Sequence, residues 1–428
     1  MKNILVSNIP AWSKASGSDT MSSLLEGYDK DKLACLYVKA DVSDSPVCDR
    51  YFHIIESRVV RSVLKKGIET GEEYNLSSPV SPLSTDNSEQ LEENKRINSF
   101  RNKRLTIFLL GRELLWKLGN WKSRALNAFL DDFKPEVLFF PIEGYIYFNR
   151  INEYIIKRCK PKKVIGYMWD DNFTYKQEPY CGPLSKLMRF LQRRSVKRLV
   201  KKCDTVFAIC PKMKREVDET FGINSVLLTK PVKESVFKDY APSSPVNIVY
   251  TGNLLYGRFE SIENVVNAIK AVNQKEKRVL LHIYTQTYLT ERQRKKIDVP
   301  DCSVLHGAVP QSEVKSIQGK SDVLLFVESL SGRKPIARLS FSTKLTDYFA
   351  AGKCIWAIGN KDLGPIEYIK ECDAGLVSTS RSEIMTALRD IADNPGVVSE
   401  YARRCYDCGQ EKHDSKIIKE ILTKTLTT

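Results

Sequence analysis

The sequence predicts an α/β protein built from two doubly wound, Rossmann-like sheets. Three observations carry that expectation. Strand-length apolar runs alternate with helix-like segments; the alternation occurs twice; and a stretch holding Pro231, Pro242 and Pro245 separates the two series. With 428 residues the chain is long enough for two domains. Its 42% hydrophobic and 28% charged content is that of a globular protein.

In the first series the strand-like runs are NILVSN (3–8), ACLYVK (34–39), EVLFF (136–140), KVIGYM (163–168), TVFAIC (205–210) and SVLLT (225–229). Helical patterns separate most of them. Residues 76–96 are rich in Ser, Pro, Asn and Glu and predict a mobile surface loop. The second series runs NIVYTG (247–252), VLLHIYT (279–285), SVLHG (303–307), DVLLFVE (322–328), CIWAIG (354–359) and GLVS (375–378). The expected division is 1–230 as an N-terminal domain, 231–246 as linker and 247–398 as a C-terminal domain. Helices over 399–428 can pack back on the first domain. Two such sheets are expected to face each other across a cleft, with ligands at the carboxyl ends of the strands.

No apolar window is long enough for a transmembrane helix, and the N-terminal apolar run is too short for a secretion signal. Eleven cysteines, an odd number, fit reduced thiols in a cytoplasmic protein. Cys405 and Cys408 form a lone C-x-x-C without a second ligand pair and read as structural. The net charge of +15 is unevenly placed. Residues 1–100 carry 12 basic and 15 acidic groups, whereas residues 101–200 carry 21 basic and 9 acidic. The segment Lys186 to Lys202 holds eight basic residues and no acid, with apolar positions at helical spacing. Such a helix suits an anionic membrane surface or a packed helix with one solvated face. No nucleic-acid reader motif accompanies the charge.

The stretch SFSTKLTDYFAAGK (340–353) predicts a short helix. Ser342 or Thr343 is a suitable N-cap and Gly352 a suitable C-terminal stop. Lys344 and Asp347 share a face near the start, where free N–H groups favour an anion such as a phosphate. A solvated Lys–Asp pair is the plainer reading of the same residues. In YTGNLLYGRFE, Gly252 permits a close backbone approach at a strand end, Asn253 begins the loop, and Arg258 can serve a diphosphate. An ordinary strand–helix turn with a surface arginine explains those residues equally well.

Taken in order, six segments resemble the C-terminal domain of GT-B glycosyltransferases, specifically the glycosyltransferase 4, or group 1, family. They are the YTG strand, the HGAVP turn, the SDVLL strand, the K-L-T-D-Y-F-A-A-G-K helix, the apolar CIWAIG strand, and GPIE followed by GLV. The resemblance covers roughly 247–395 well and the first domain loosely. It implies that Lys344, with the helix start at Ser342 and Thr343, contacts a donor diphosphate. It implies that Asp347 receives the ribose hydroxyls and that the backbone at Ala308 and Val309 reads the nucleobase. Gly252 and Asn253 stand at a phosphate-loop position, and Glu367 either touches the donor sugar or caps a helix. One departure stands out: Leu339 occupies the place of an acid that many retaining members carry eight residues before Asp347.

In the first domain Asp170 and Asp171 lie just past a strand end, where adjacent carboxylates can supply a base or orient an acceptor hydroxyl. Capping of the following helix is the alternative. The four histidines carry no catalytic signature. The resemblance therefore implies a retaining, metal-independent hexosyltransferase with no cofactor. It would move sugar from a nucleotide-diphosphate donor to a cell-surface polysaccharide or lipid-linked acceptor. The enzyme would work in the cytoplasm, with peripheral membrane contact through 186–202. A nucleotide-sugar epimerase and a non-catalytic partner subunit remain the alternatives.

Overall fold

The computed structural model describes residues 1–12, 20–39, 43, 45–76, 106–176, 182–232, 235–331 and 338–427. Nearly all of the expected 76–96 loop lies outside those residues. The chain divides into two compact units. One holds Met1–Ile209, Met213–Leu228 and Glu420–Thr428; the other holds Cys210–Lys212 and Thr229–Lys419. Of the C-terminal helices, residues through Lys419 group with the second unit and only the last nine with the first.

The first unit is an eight-stranded sheet in the order β4-β3-β2-β1-β5-β6-β7-β8. Its strands are β1 (Ile4–Ser7), β2 (Leu33–Tyr37), β3 (Arg50–Ile54), β4 (Gly71–Asn75), β5 (Val137–Pro141), β6 (Lys163–Met168), β7 (Thr205–Ala208) and β8 (Val226–Leu227). β1, β2, β5 and nearly all of β6 are buried, which explains their continuous apolar runs. The sequence reading missed β3 and β4. β4 is antiparallel to β3, so the sheet is not wholly parallel as expected. Its sequence GEEYN exposes alternate polar residues, as an edge strand can.

The second unit is a six-stranded parallel sheet in the order β11-β10-β9-β12-β13-β14. It comprises β9 (Val246–Thr251), β10 (Val279–Tyr284), β11 (Ser303–Gly307), β12 (Val323–Val327), β13 (Cys354–Ile358) and β14 (Leu376–Ser378). Its core joins Ile248, Leu281, Val323, Leu325, Cys354 and Trp356 to the helices on the sheet. Strand order reverses on either side of β9. The next strand in sequence, β10, pairs on one edge, and β12 pairs on the other. The crevice between β9 and β12 is the topological switch point where open α/β sheets receive ligands.

Candidate functional site

β9 ends at Thr251, and Gly252 takes φ 154°, a conformation side chains rarely adopt. A Cβ there would run into the Lys344 ammonium. The Thr343–Ala351 helix starts beside this strand end, so Lys344 reaches across, and its Nζ donates to the Thr251 carbonyl at 2.9 Å. The same nitrogen lies 5.6 Å from the Tyr250 ring centroid, and the Tyr250 hydroxyl donates to the Asn253 carbonyl at 2.6 Å. Burial, reinforced by the nearby Arg258 charge, pulls the Lys344 ammonium from 10.5 down to about 8. Lys344 is thus a partly desolvated cation at the switch point.

Arg258, the first residue of the Arg258–Val272 helix, is fixed on two sides. Its Nη1 donates to Asn253 Oδ1 at 2.8 Å. Its Nε and Nη2 grip the Glu328 carboxylate at 3.1 and 2.7 Å. Glu328 follows the last residue of β12 and is buried. Gly252, Asn253, Arg258 and Lys344 therefore come together with Glu328, an acid that the sequence already marks by its place at a nearby strand end, where it can stand in for the one missing at Leu339. A carboxylate ending a fully buried strand is the signal that marks it.

Ser342 stands at the N-cap of the Thr343–Ala351 helix, but its hydroxyl accepts no first-turn N–H, contrary to the expected capping bond. Thr343 follows as the first helical residue. Asp347 is half-buried on the same helix, one turn past Lys344. Gly352 closes the helix in the left-handed conformation, as expected. Ala308 and Val309 follow β11, two strands from β9, on the order of 10 Å across the sheet. The chain of bonds along these ends is continuous, with Gly252 N–H on Tyr284 O and Thr285 N–H on Gly307 O. Tyr284 and His306 stack there at 4.4 Å. Glu367 occupies the first turn of the Gly364–Glu371 helix after β13 and forms an ion pair with Lys212. The N-cap position itself belongs to Leu363. Cys405 is buried and donates to the Tyr348 carbonyl.

The two aspartates of the first unit separate in role. Asp171 is buried, accepts the Thr174 N–H at 2.9 Å and the Thr174 hydroxyl at 2.5 Å, and faces Arg189 at 3.5 Å. Arg189 in turn donates to the Asp171 and Thr174 carbonyls at 2.6 and 2.8 Å. That carboxylate organises its loop. Asp170 is half-buried beside Glu143, which follows β5. Burial, with the Asp170 charge next, pushes Glu143 up to about 7, and Trp169 Nε1 donates to it at 3.2 Å. Glu143 is an acid that the sequence reading passed over. Like Glu328, it lies just beyond the end of a buried strand.

No family model matches the chain, and no match is found among curated proteins. Solved structures do match. The chain is similar to Anabaena HepE in complex with UDP, at 10% identity over 100% of each chain and a TM-score of 0.61. It is similar to the sucrose-phosphate synthase of Thermosynechococcus elongatus, at 10% identity over 100% of this chain and 98% of the other, with the same TM-score of 0.61. A Listeria monocytogenes protein described as a UDP-N-acetylglucosamine 2-epimerase matches at 9% identity over 100% and 96%, with a TM-score of 0.53. At such identities the likeness is one of fold. The chain has the GT-B fold, a pair of Rossmann-like units.

Proposed function

We propose that the protein is a glycosyltransferase using a nucleotide-diphosphate sugar. The observation that carries this reading is Lys344, a partly desolvated ammonium at the β9–β12 switch point, beside a glycine and the start of a helix. A diphosphate there would meet a full positive charge, the helix N-terminus and backbone at closest approach. Asp347, one turn on, would take the ribose hydroxyls, and the Ala308–Val309 backbone would read the base. Arg258 would act through its pair with Glu328, and through Asn253, rather than as a free guanidinium. Glu367 would face the sugar. Because Lys344 and the helix N-terminus supply positive charge to the leaving diphosphate, no metal or cofactor enters this reading.

Support also comes from likeness. HepE has been solved with UDP and with UDP-glucose. The transfer would be of a hexose, with retention, to a cell-surface polysaccharide or lipid-linked oligosaccharide held by the first unit. Asp170 and Glu143 would line its acceptor side. Hydrolysis of UDP-, GDP- and TDP-sugars without acceptor tests the reading. Release of free sugar from one donor, lost in Lys344→Met, is expected. The Listeria likeness gives the epimerase a specific footing, and appearance of an epimeric nucleotide-sugar would select it instead. Nucleotide binding without turnover of any donor would select a non-catalytic subunit.

A further inference from the structure

The Thr106–Leu118 helix of the first unit is inverted. Arg112, Glu113 and Trp116 point inward, while Lys117 is exposed. Arg112 holds Glu56 at 2.5 and 2.6 Å, Glu113 accepts the Ile146 N–H at 2.8 Å, and the buried Trp116 donates to Glu56 at 3.0 Å. Ile107, Leu114 and Leu118 recur at seven- and four-residue spacing, so they line one stripe from the first turn to the last. That stripe faces outward, with the three side chains 61, 56 and 60% exposed. A helix of a globular protein ordinarily does the reverse.

This helix packs against the Pro183–Val200 helix, which also turns apolar groups outward. Leu184, Leu187 and Phe190 are 46, 48 and 50% exposed. All three lie in the first half of the helix. The exposed residues of the second half and just beyond are Arg194, Lys197, Arg198, Lys201 and Lys202. No acid occurs between Pro183 and Lys202. Polarity thus changes along the axis, from an apolar end to a basic end. Arg189 and Arg193 do not belong to this face, because their guanidiniums donate to the carbonyls of Thr174 and Phe173.

We propose that these two helices form a docking face for an anionic lipid bilayer. The Ile107–Leu114–Leu118 stripe and the Leu184–Leu187–Phe190 end would enter the boundary between headgroups and acyl chains. The basic end would lie among the lipid phosphates. An exposed apolar stripe beside polar groups marks a binding surface, and the adjoining basic side chains, of which Arg198 also pairs with Glu153 at 3.5 Å, select an anionic partner over a neutral one. No helix among the described residues is long and apolar enough to cross a membrane, so the contact is interfacial. The face serves the lipid-linked acceptor of the proposed transfer, but its geometry stands without that reading.

The test is co-sedimentation of the full chain with vesicles of phosphatidylcholine alone and with added phosphatidylglycerol, at low and high salt and without nucleotide. Pelleting with the anionic vesicles, weakened by salt, is expected. The triple variant Ile107→Ser, Leu114→Ser, Leu118→Ser and the double variant Leu187→Gln, Phe190→Gln should each bind about tenfold less or weaker still. Circular dichroism and unchanged UDP titration would show that each variant is folded. UDP titration also keeps failure of this face distinct from failure of the donor site. Equal pelleting of wild type and both variants overturns the proposal, as does absence of pelleting. A wild-type dimer in solution that the triple variant converts to monomer would overturn it too, by assigning the face to a second copy of the chain.

Discussion

Replacing Lys344 by Met separates binding from stability, and the structure gives the size of each effect. The ammonium is held by one carbonyl, that of Thr251, and lies close to the like charge of Arg258. Its descent from 10.5 to about 8 sets about 3 kcal/mol against the charged form. Between those two values the unfolded chain keeps a proton that the folded protein has released, so stability rises with pH across that window. Below about pH 8 both states are charged, and the full penalty opposes folding. Met removes the charge and leaves the Thr251 carbonyl without this donor, at about 1 kcal/mol. Lys344→Met should therefore be about 1–2 kcal/mol more stable at neutral pH in urea unfolding. The same variant should bind UDP more weakly by about 1.5–3 kcal/mol, roughly 10- to 150-fold, because a hydrogen bond to a charged group is lost. Calorimetry should also show wild-type UDP affinity declining as pH rises through about 8, with the variant flat there. Unchanged UDP affinity would refute the donor role. Loss of stability together with binding would make Lys344 a structural residue instead.

Glu328→Gln leaves Arg258 without its buried carboxylate partner and should cost about 3–5 kcal/mol in urea unfolding. The double variant Arg258→Met, Glu328→Met should cost less than the sum of the single ones, and a strictly additive result would deny the coupling. Glu143 keeps its proton up to about pH 7, above its ordinary 4.5. The stability this confers is complete below about 4.5 and is lost as pH rises through 7. Glu143→Gln should flatten the pH dependence of unfolding across that window by up to about 3 kcal/mol. An unchanged slope would show that Glu143 titrates normally.

Much of the fold was legible because buried parallel strands need continuous apolar runs, and such runs survive in any single sequence. EVLFF, KVIGYM, VLLHIY and CIWAI each became a strand within a residue or two of the expected bounds. β3 and β4 escaped notice because RYFHI mixes charge with aromatics and GEEYN is polar, as a pairing at the edge of a sheet allows. The helix at Thr343–Ala351 and its glycine stop were likewise local, set by spacing and by the one residue that tolerates left-handed backbone.

The sequence by itself determined two strand–helix alternations, the helix that carries Lys344 and Asp347, and the excess of positive charge within 101–200. Each is a property of neighbours along the chain. Only the tertiary structure decided which side chains meet. Arg258 and Glu328 stand seventy residues apart and pair because β9 and β12 lie side by side. Asp171 became a loop organiser because Arg189, from a later helix, reached its loop first. The Thr106–Leu118 helix shows an apolar face outward because Glu56 and the Ile146 amide took its polar groups inward. Periodicity tells that a helix has two faces. Which of them meets solvent depends on contacts that no local pattern records.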